Sequence, residues 1–411
     1  MQTETAPVTL EALYEWLHQH PELSGREHGT AARVAAELEA AGYTVAAGVG
    51  GTGVVGVLGN GDGPAVLVRT DMDALPIAER TGLPYASTVR VNDDAGAEVG
   101  VMHACGHDVH MTVFAGVARA LSAAREAWRG TLVMVGQPAE ETGSGARAML
   151  RDGLFARFPR PDYNLALHVD PYLEAGRVGY RAGYVFASSD FVDVTIRGTG
   201  GHGAYPHLTR DPIAIAAQTI VALQTIVSRE VRPLDPAVLT VGSIHGGSKH
   251  NIIPDEVRMQ LTLRAYDPKV RERMLASIRR IANGMAAAAG VPEDRMPVVE
   301  QAGGSAPSVY NAPELVAQIL PVWRAKFGDE NVIERDPEMG FEDFSEYGAV
   351  EPGIPSFLFR LGSVDPDRLE AAAAAGKPLP GLHSSEYRPA PRQTIETGVA
   401  AMTAAAMELL R

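Results

Sequence analysis

Ligand-type side chains gather in four short strings in the first half of the chain. An apolar run that ends at Thr70 passes into Asp71-Met72-Asp73, and a run over 131–135 leads to Gln137-Pro138-Ala139-Glu140-Glu141. A third apolar run reaches His168-Val169-Asp170. Between them stands His103-Ala104-Cys105-Gly106-His107-Asp108-Val109-His110. Sites in open α/β sheets lie beyond the carboxyl ends of strands, so acids, imidazoles and a thiol at those points mark a candidate centre. Generic connectors would carry Gly, Ser and Asn there instead.

One residue separates Cys105 from His107, which puts both side chains on one side of an extended segment. Thiolate and imidazole are donors suited to zinc, manganese, nickel or cobalt. Two other readings of the pair stay open: a small buried cysteine beside a hydrogen-bonded core histidine, or a cysteine nucleophile with its base. The second lacks a recognisable third group to orient the histidine. Glu140-Glu141 shifts the balance. Adjacent carboxylates after a strand commonly decorate a solvated loop, but neighbouring side chains of an extended stretch diverge. One can then hold a metal while the other reaches a water, the division of labour that metal-dependent hydrolysis requires.

The string Gly198-Thr199-Gly200-Gly201-His202-Gly203 imitates a dinucleotide-binding fingerprint. Ala204-Tyr205-Pro206-His207 delays any helix, however, and no acid follows about 20 residues on. The loop reads instead as a display of His202 and His207.

Periodicity and punctuation supply the elements that must position these groups. Leu10, Leu13, Trp16 and Leu17 repeat at helical spacing behind Thr9, an N-cap residue. Helices are predicted over 26–41, 110–128 and 144–154, and strands over 43–46, 54–58, 65–70, 131–135 and 164–169. That alternation predicts an α/β sheet with helices on its faces. From about 185 the order becomes β-α-β-β-α-β, the ferredoxin-like succession, closing with a strand over 296–300. After about 300 the α/β pattern resumes, with helices over 313–327 and 392–410 and a strand over 354–361. The Ala-rich stretch 369–376 reads as a frayed helix or an exposed loop. The division is a discontinuous α/β domain, 1–183 with 298–411, and an inserted α+β domain over 184–297.

The 411 residues, 45% hydrophobic and 21% charged, exceed one ordinary core and exclude a disordered chain. Fifty acidic against 36 basic residues leave a net charge of −14, which argues against nucleic acid or an anionic membrane as the main partner. One cysteine excludes an internal disulfide framework and fits a reducing compartment. No basic-then-apolar leader is visible, and no apolar run approaches the ~20 residues of a membrane span, so a cytoplasmic location is expected.

Taken together the strings resemble the amidohydrolase branch of the co-catalytic metallopeptidases, which contains hippurate hydrolases, N-acyl-amino-acid amidohydrolases and auxin-conjugate hydrolases. The matching pieces are DMDALP (71–76), MHACGHDVHM (102–111), GQPAEE (136–141), HVDP (168–171), GTGGHGAYPH (198–207), NIIPDEV (251–257), EDFS (342–345) and LHSSEY (382–387). The resemblance implies a zinc-peptidase-like catalytic domain, a mixed sheet flanked by helices, with an inserted ferredoxin-like lid that serves as the dimerisation domain. It further implies two divalent metal ions per subunit (Zn, Mn, Ni or Co) on Cys105, His107, Glu141, His168 and His383. Glu140 matches the general base, and Asp73 the aspartate behind the metals. His202 matches a lid histidine that steadies the oxyanion in the partner subunit, and Asn251 and Arg264 match contacts to the substrate carboxylate. Asp71 stands where the peptidase branches place a metal-binding histidine, which favours acyl-amino-acid substrates over peptides.

The expected reaction is hydrolysis of the amide of an N-acyl amino acid to a carboxylate and a free amino acid. The expected assembly is a homodimer through the lid, or a tetramer built from it. Phe341 before EDF and the Ser-Ser-Glu after His383 depart from the common pattern and leave the acyl group and the amino acid open. Two alternatives stand beside this reading: a dipeptidase or carboxypeptidase on the same scaffold, and a non-catalytic small-molecule binder with a structural metal. Glu140 separates the last from the first, because a structural site needs no second carboxylate beside Glu141.

Overall fold

Four central strands, Gly130–Gln137, Ala65–Asp71, Tyr163–Glu174 and Ser356–Val364, are buried over most of their length. Helices therefore cover both faces, and the sequences run apolar without strict alternation. In the computed structural model, which describes residues 9–411, these strands lie at the heart of an eight-stranded mixed sheet. Ala65–Asp71 pairs in parallel with Gly130–Gln137 and with Tyr163–Glu174, which pairs in parallel with Ser356–Val364. Thr44–Val49 and Gly53–Asn60 extend one edge antiparallel, and Val178–Tyr180 and Val332–Glu334 extend the other.

The helix His107–Ala123 packs against Pro391–Leu409 and against the sheet, with Leu10–Gln19 and His28–Ala40 beside it. Thr9 caps the first of these through its side chain, as its type predicts. Trp323 of the helix Pro313–Phe327 is fully buried against Phe357 and Phe359, and its indole N–H donates to the Ala401 carbonyl. The Ala-rich stretch is helical, Pro366–Ala375, capped by Asp365 at its start and ended at Gly376 in left-handed conformation.

This α/β unit comprises residues up to Val185 together with Tyr310–Pro337 and Asp343–Arg411; a second unit comprises Phe186–Val309 and Glu338–Glu342. The second holds a four-stranded antiparallel sheet in the order Ala237–His245, Glu256–Ala265, Ser188–Arg197, Val298–Gln301. Helices Pro212–Thr225 and Pro268–Ala288 pack on it, and its apolar core is separate from that of the first unit. Where the sequence division stops at 297, this unit runs on to Val309, because Val298–Gln301 pairs with Ser188–Arg197.

One expectation changes. Among the described residues, Pro212–Glu230 is long and apolar enough to cross a membrane by length and composition, which the sequence reading had not marked. Its buried residues Ile215, Ala216, Leu223 and Ile226 belong to the core of the second unit, as in a helix that covers a sheet.

Candidate metal centre

The strand ends deliver the donors, but by tighter turns than an extended chain. Cys105 lies in a turn, Gly106 takes φ 78°, and His107 is already the first residue of the helix His107–Ala123. The predicted helix start at 110 is therefore three residues late. Cys105 and His107 converge through the left-handed glycine, not through strand alternation. A Cβ on Gly106 would lie 2.7 Å from Val169 Cγ2, so both the dihedral and the space call for glycine. Glu140 and Glu141 likewise sit in a turn between the strand Gly130–Gln137 and the helix Gly145–Arg151. Ala139 before them has φ 50°, and this bend, not strand pleating, makes the two carboxylates diverge. His168 stands within Tyr163–Glu174. His383 has φ 63°, and its N–H donates to the Ala104 carbonyl at 2.9 Å, which ties its loop to the cysteine turn.

These residues meet. Cys105 Sγ lies 3.5 Å from His168 Nε2. His107 Nε2 lies 3.9 Å from Glu141 Oε1 and 4.0 Å from Glu140 Oε2, and His383 Nε2 lies 3.5 Å from Glu141 Oε1. Three overlapping sets, Cys105/His107/His168, Cys105/Glu141/His383 and His107/Glu140/Glu141, each offer donor atoms within 4.8 Å of one another. The ring tautomers suit ligation. His107 donates Nδ1–H to the Asp73 carbonyl at 2.8 Å, and His168 donates Nδ1–H to the Val169 carbonyl at 2.8 Å, which leaves a lone pair on each Nε2. His107 Nε2 and Glu141 Oε1 are buried without a hydrogen-bond partner. A buried nitrogen and a buried oxygen without partners, beside the Cys105 thiol, fit a divalent metal.

The electrostatics agree. Burial pushes His107 down, but Asp71, Asp73 and Glu141 outweigh it and raise the imidazole to about 10. Burial and the carboxylates of Glu141, Glu140 and Asp71 push the Cys105 thiol up. At Cys105 burial comes first and the acids add to it, whereas at His107 the acids prevail over burial; at both, a divalent cation would take the place of a proton that the surrounding carboxylates hold there.

Asp71 lies against the cluster, its Oδ2 3.6 Å from His107 Nε2 and within one donor set with His107 and His110, and further partners hold it there. Its oxygens accept from Arg69 at 2.9 Å and from His110 at 2.7 Å, and His110 Nε2 accepts the Val169 N–H at 2.9 Å. Burial would raise this carboxyl, yet His107, His110 and Arg69 hold it well below the usual range. Asp73 accepts from the Glu141 N–H at 3.0 Å and from Ser24 Oγ at 2.6 Å, so it stands behind the cluster and orients it.

Several residues of this framework escaped the sequence reading. Arg69, in the middle of an apolar strand, also reaches Gln137 at 2.9 Å and Asp343 at 3.2 Å; a charge inside such a run was the available signal. His18 bridges Asp108 at 2.6 Å and Glu79 at 3.1 Å, and Glu27 is fully buried with bonds to Gly25, Thr52 and Ala139. Both lie in stretches that read as ordinary amphipathic helix.

His202, Asn251 and Arg264 belong to the second unit. His202 lies on the short strand Gly201–His202, paired with Ile252–Ile253, and the Gly203 N–H donates to the Asn251 carbonyl at 2.9 Å. Both His202 and Asn251 are exposed. The Ala204 N–H donates to His202 Nδ1 at 3.0 Å, which places the proton of the neutral ring on Nε2. Arg264 is half-buried, 5.9 Å from the Phe341 ring centroid, and its Nη1 has no hydrogen-bond partner.

Sheet topology and donor set together define a metal-dependent hydrolase of the zinc-peptidase type. The chain belongs to peptidase family M20/M25/M40, whose model matches residues 67–377. It is 41% identical over 304 residues to the N-acetyldiaminopimelate deacetylase of Leuconostoc citreum, covering 74% of each chain. It is 37% identical over 374 residues to the N-acetyl-L-cysteine deacetylase of Bacillus subtilis, covering 89% of this chain and 85% of that one. Among solved structures it resembles a dinuclear metal binding peptidase of the M20 family from Bacillus subtilis, with TM-score 0.78, 28% identity and coverage of 98% and 97%.

Proposed function

We propose that this chain hydrolyses the amide bond of N-acyl amino acids, releasing a carboxylic acid and a free amino acid, with two divalent metal ions per subunit. The observation that carries the reading is the pairing at 140–141. One carboxylate, Glu141, lies among the soft donors, and a second, Glu140, sits beside it at 4.0 Å from His107. A purely structural metal has no use for that second acid. The kinship with two deacetylases of N-acetyl amino acids supports the substrate class.

In this reading Cys105, His107, Glu141, His168 and His383 hold the ions, and zinc, manganese, nickel and cobalt all suit the donor set. When bound, the ions polarise the scissile carbonyl and acidify the attacking water. Glu140 accepts the proton of that water and delivers it to the leaving amine nitrogen. Asp73 holds the His107 tautomer and the Glu141 backbone in place. The second unit acts as lid and dimerisation domain. His202 donates from Nε2 to the developing oxyanion of the partner's site, and Asn251 and Arg264 receive the substrate carboxylate. The reading places the enzyme in the cytoplasm.

The test is amine release from a panel of N-acetyl, N-benzoyl, long-chain acyl and indoleacetyl amino acids beside dipeptides, with added Mn²⁺ or Zn²⁺. Glu140→Gln is expected to keep metal and substrate binding and to lower kcat by roughly 10²–10⁴-fold. Glu141→Gln is expected to weaken metal binding instead. Turnover of dipeptides alone would move the activity to the peptidase branch, and identical metal titrations of the two variants would overturn the role assignment.

A further inference from the structure

We propose that Glu27 is a positioning residue for the turn that carries Glu140 and Glu141, acting by holding Ala139 in its left-handed backbone conformation.

Ala139 has φ 50°, a region that residues other than glycine avoid and keep only where the surroundings over-determine it. Its surroundings do so from both sides. The Ala139 N–H donates to Glu27 Oε1 at 2.8 Å. The Ala139 carbonyl accepts from the Ser144 and Gly145 N–H groups, each at 3.2 Å. Glu27 is itself fixed: the same Oε1 accepts the Gly25 N–H at 2.8 Å, and Thr52 Oγ1 reaches Oε2 at 2.5 Å. The side chain is fully buried, and its hydrogen bonds go to Gly25, Thr52 and Ala139, none to a metal donor. A buried acid at such a place is costly unless its partners need it.

The same loop grips the turn a second time. Ser24 Oγ donates to Asp73 Oδ2 at 2.6 Å, and that oxygen accepts the Glu141 N–H at 3.0 Å. The segment from Ser24 to Glu27 therefore braces the residues just before Glu140 and at Glu141. Without Glu27, Ala139 relaxes towards negative φ and swings both carboxylates away from the donor cluster. Misplacement by about 1 Å is enough to cost ~100-fold in rate.

The proposal rests on the reading of Glu140 as base and Glu141 as ligand for its kinetic readout; a second readout, Mn²⁺ affinity of the metal-free protein by calorimetry, is independent of substrate. Glu27→Ala is expected to lower kcat by roughly 10–100-fold with KM within about threefold, and to weaken Mn²⁺ about tenfold. Adding Ala139→Gly is expected to recover most of both losses, since glycine takes φ 50° without strain. Glu27→Gln is expected to stay within about threefold of wild type, because its carbonyl oxygen still accepts from Ala139 while its amide donates to Thr52 Oγ1. Thr52→Val, which removes only the clamp on the far oxygen, is expected to give the same pattern at smaller size and serves where Glu27→Ala does not fold. A defect in Glu27→Ala that Ala139→Gly leaves untouched, or Glu27→Ala with wild-type kcat and Mn²⁺ affinity, would overturn the proposal. If the wild-type protein turns over no N-acyl amino acid, the functional reading falls, and the Mn²⁺ affinities of the single and double variants alone decide the role of Glu27.

Discussion

Gly145 offers the sharpest perturbation of the turn that carries Glu140 and Glu141. A Cβ at this position would lie 1.5 Å from the Pro138 carbonyl oxygen and 2.6 Å from its carbon, where real contacts essentially never fall below 3.0 Å. In Gly145→Ala the carbonyl has to retreat by roughly 1.5 Å, and because both atoms are backbone no rotamer change relieves the clash. Pro138 precedes Ala139 and Glu140, and the Gly145 N–H itself holds the Ala139 carbonyl at 3.2 Å. The displacement is therefore transmitted to Glu140, the proposed base. With ~1 Å worth about 100-fold in rate, kcat is expected to fall at least about 100-fold. The accompanying overpacking costs about 1–3 kcal/mol, which lowers the Tm by roughly 2–5 °C. Gly284→Ala is the control, since a Cβ there meets nothing within 4 Å. Steady-state kinetics on a substrate the wild type cleaves, with a melting curve for each variant, separates the two effects. A Gly145→Ala enzyme with kcat within twofold of wild type would refute the claim that this turn sets the base.

Two further predictions concern stability and assembly. Burial lowers the pKa of His18, but Asp108 and Glu79 outweigh it and raise it to about 10. Because this lies above the unfolded value near 6.5, the stabilisation is fully present below about pH 6.5 and is lost as pH rises towards about 10. His18→Gln is thus expected to cost roughly 3–5 kcal/mol in urea unfolding at pH 6, shrinking by about 1.4 kcal/mol per pH unit above 6.5; a difference constant from pH 6 to 9.5 would contradict it. If His202 serves the partner's site, inactive His202→Ala and Glu140→Gln dimers should recover up to about a quarter of wild-type activity after subunit exchange, and a monomer on size exclusion would rule this out.

Much of the candidate site was legible because its signals are local. Residue type decides which side chains can bind a metal, and apolar runs ended by acids and histidines mark strand ends from neighbours in the chain. Asp73, Cys105, His107, Glu140, Glu141 and His168, which the structure brings together, are all marked that way as candidates, and the family resemblance adds His383 from a short loop string. The reasons given for two pairs were wrong, however. Cys105-His107 and Glu140-Glu141 were read as extended, whereas Gly106 at φ 78° and Ala139 at φ 50° bend the chain at both places. Nothing in the type of Ala139 announces a left-handed backbone, since its conformation is imposed from outside.

The sequence by itself determined the α/β alternation, the ferredoxin-like succession of the insert and the chemical types gathered at the strand ends, because propensity, periodicity and ligand chemistry belong to short stretches. Tertiary structure alone decided what holds those types in place. Glu27 reaches Ala139 across 112 positions, Gln137 meets Asp343 across 206, and His18 meets Asp108 across 90. An acid or imidazole read in its own stretch looks solvated, and only packing shows it buried, paired and charged, because the free energy of an ionisable group depends on neighbours brought to it by the fold.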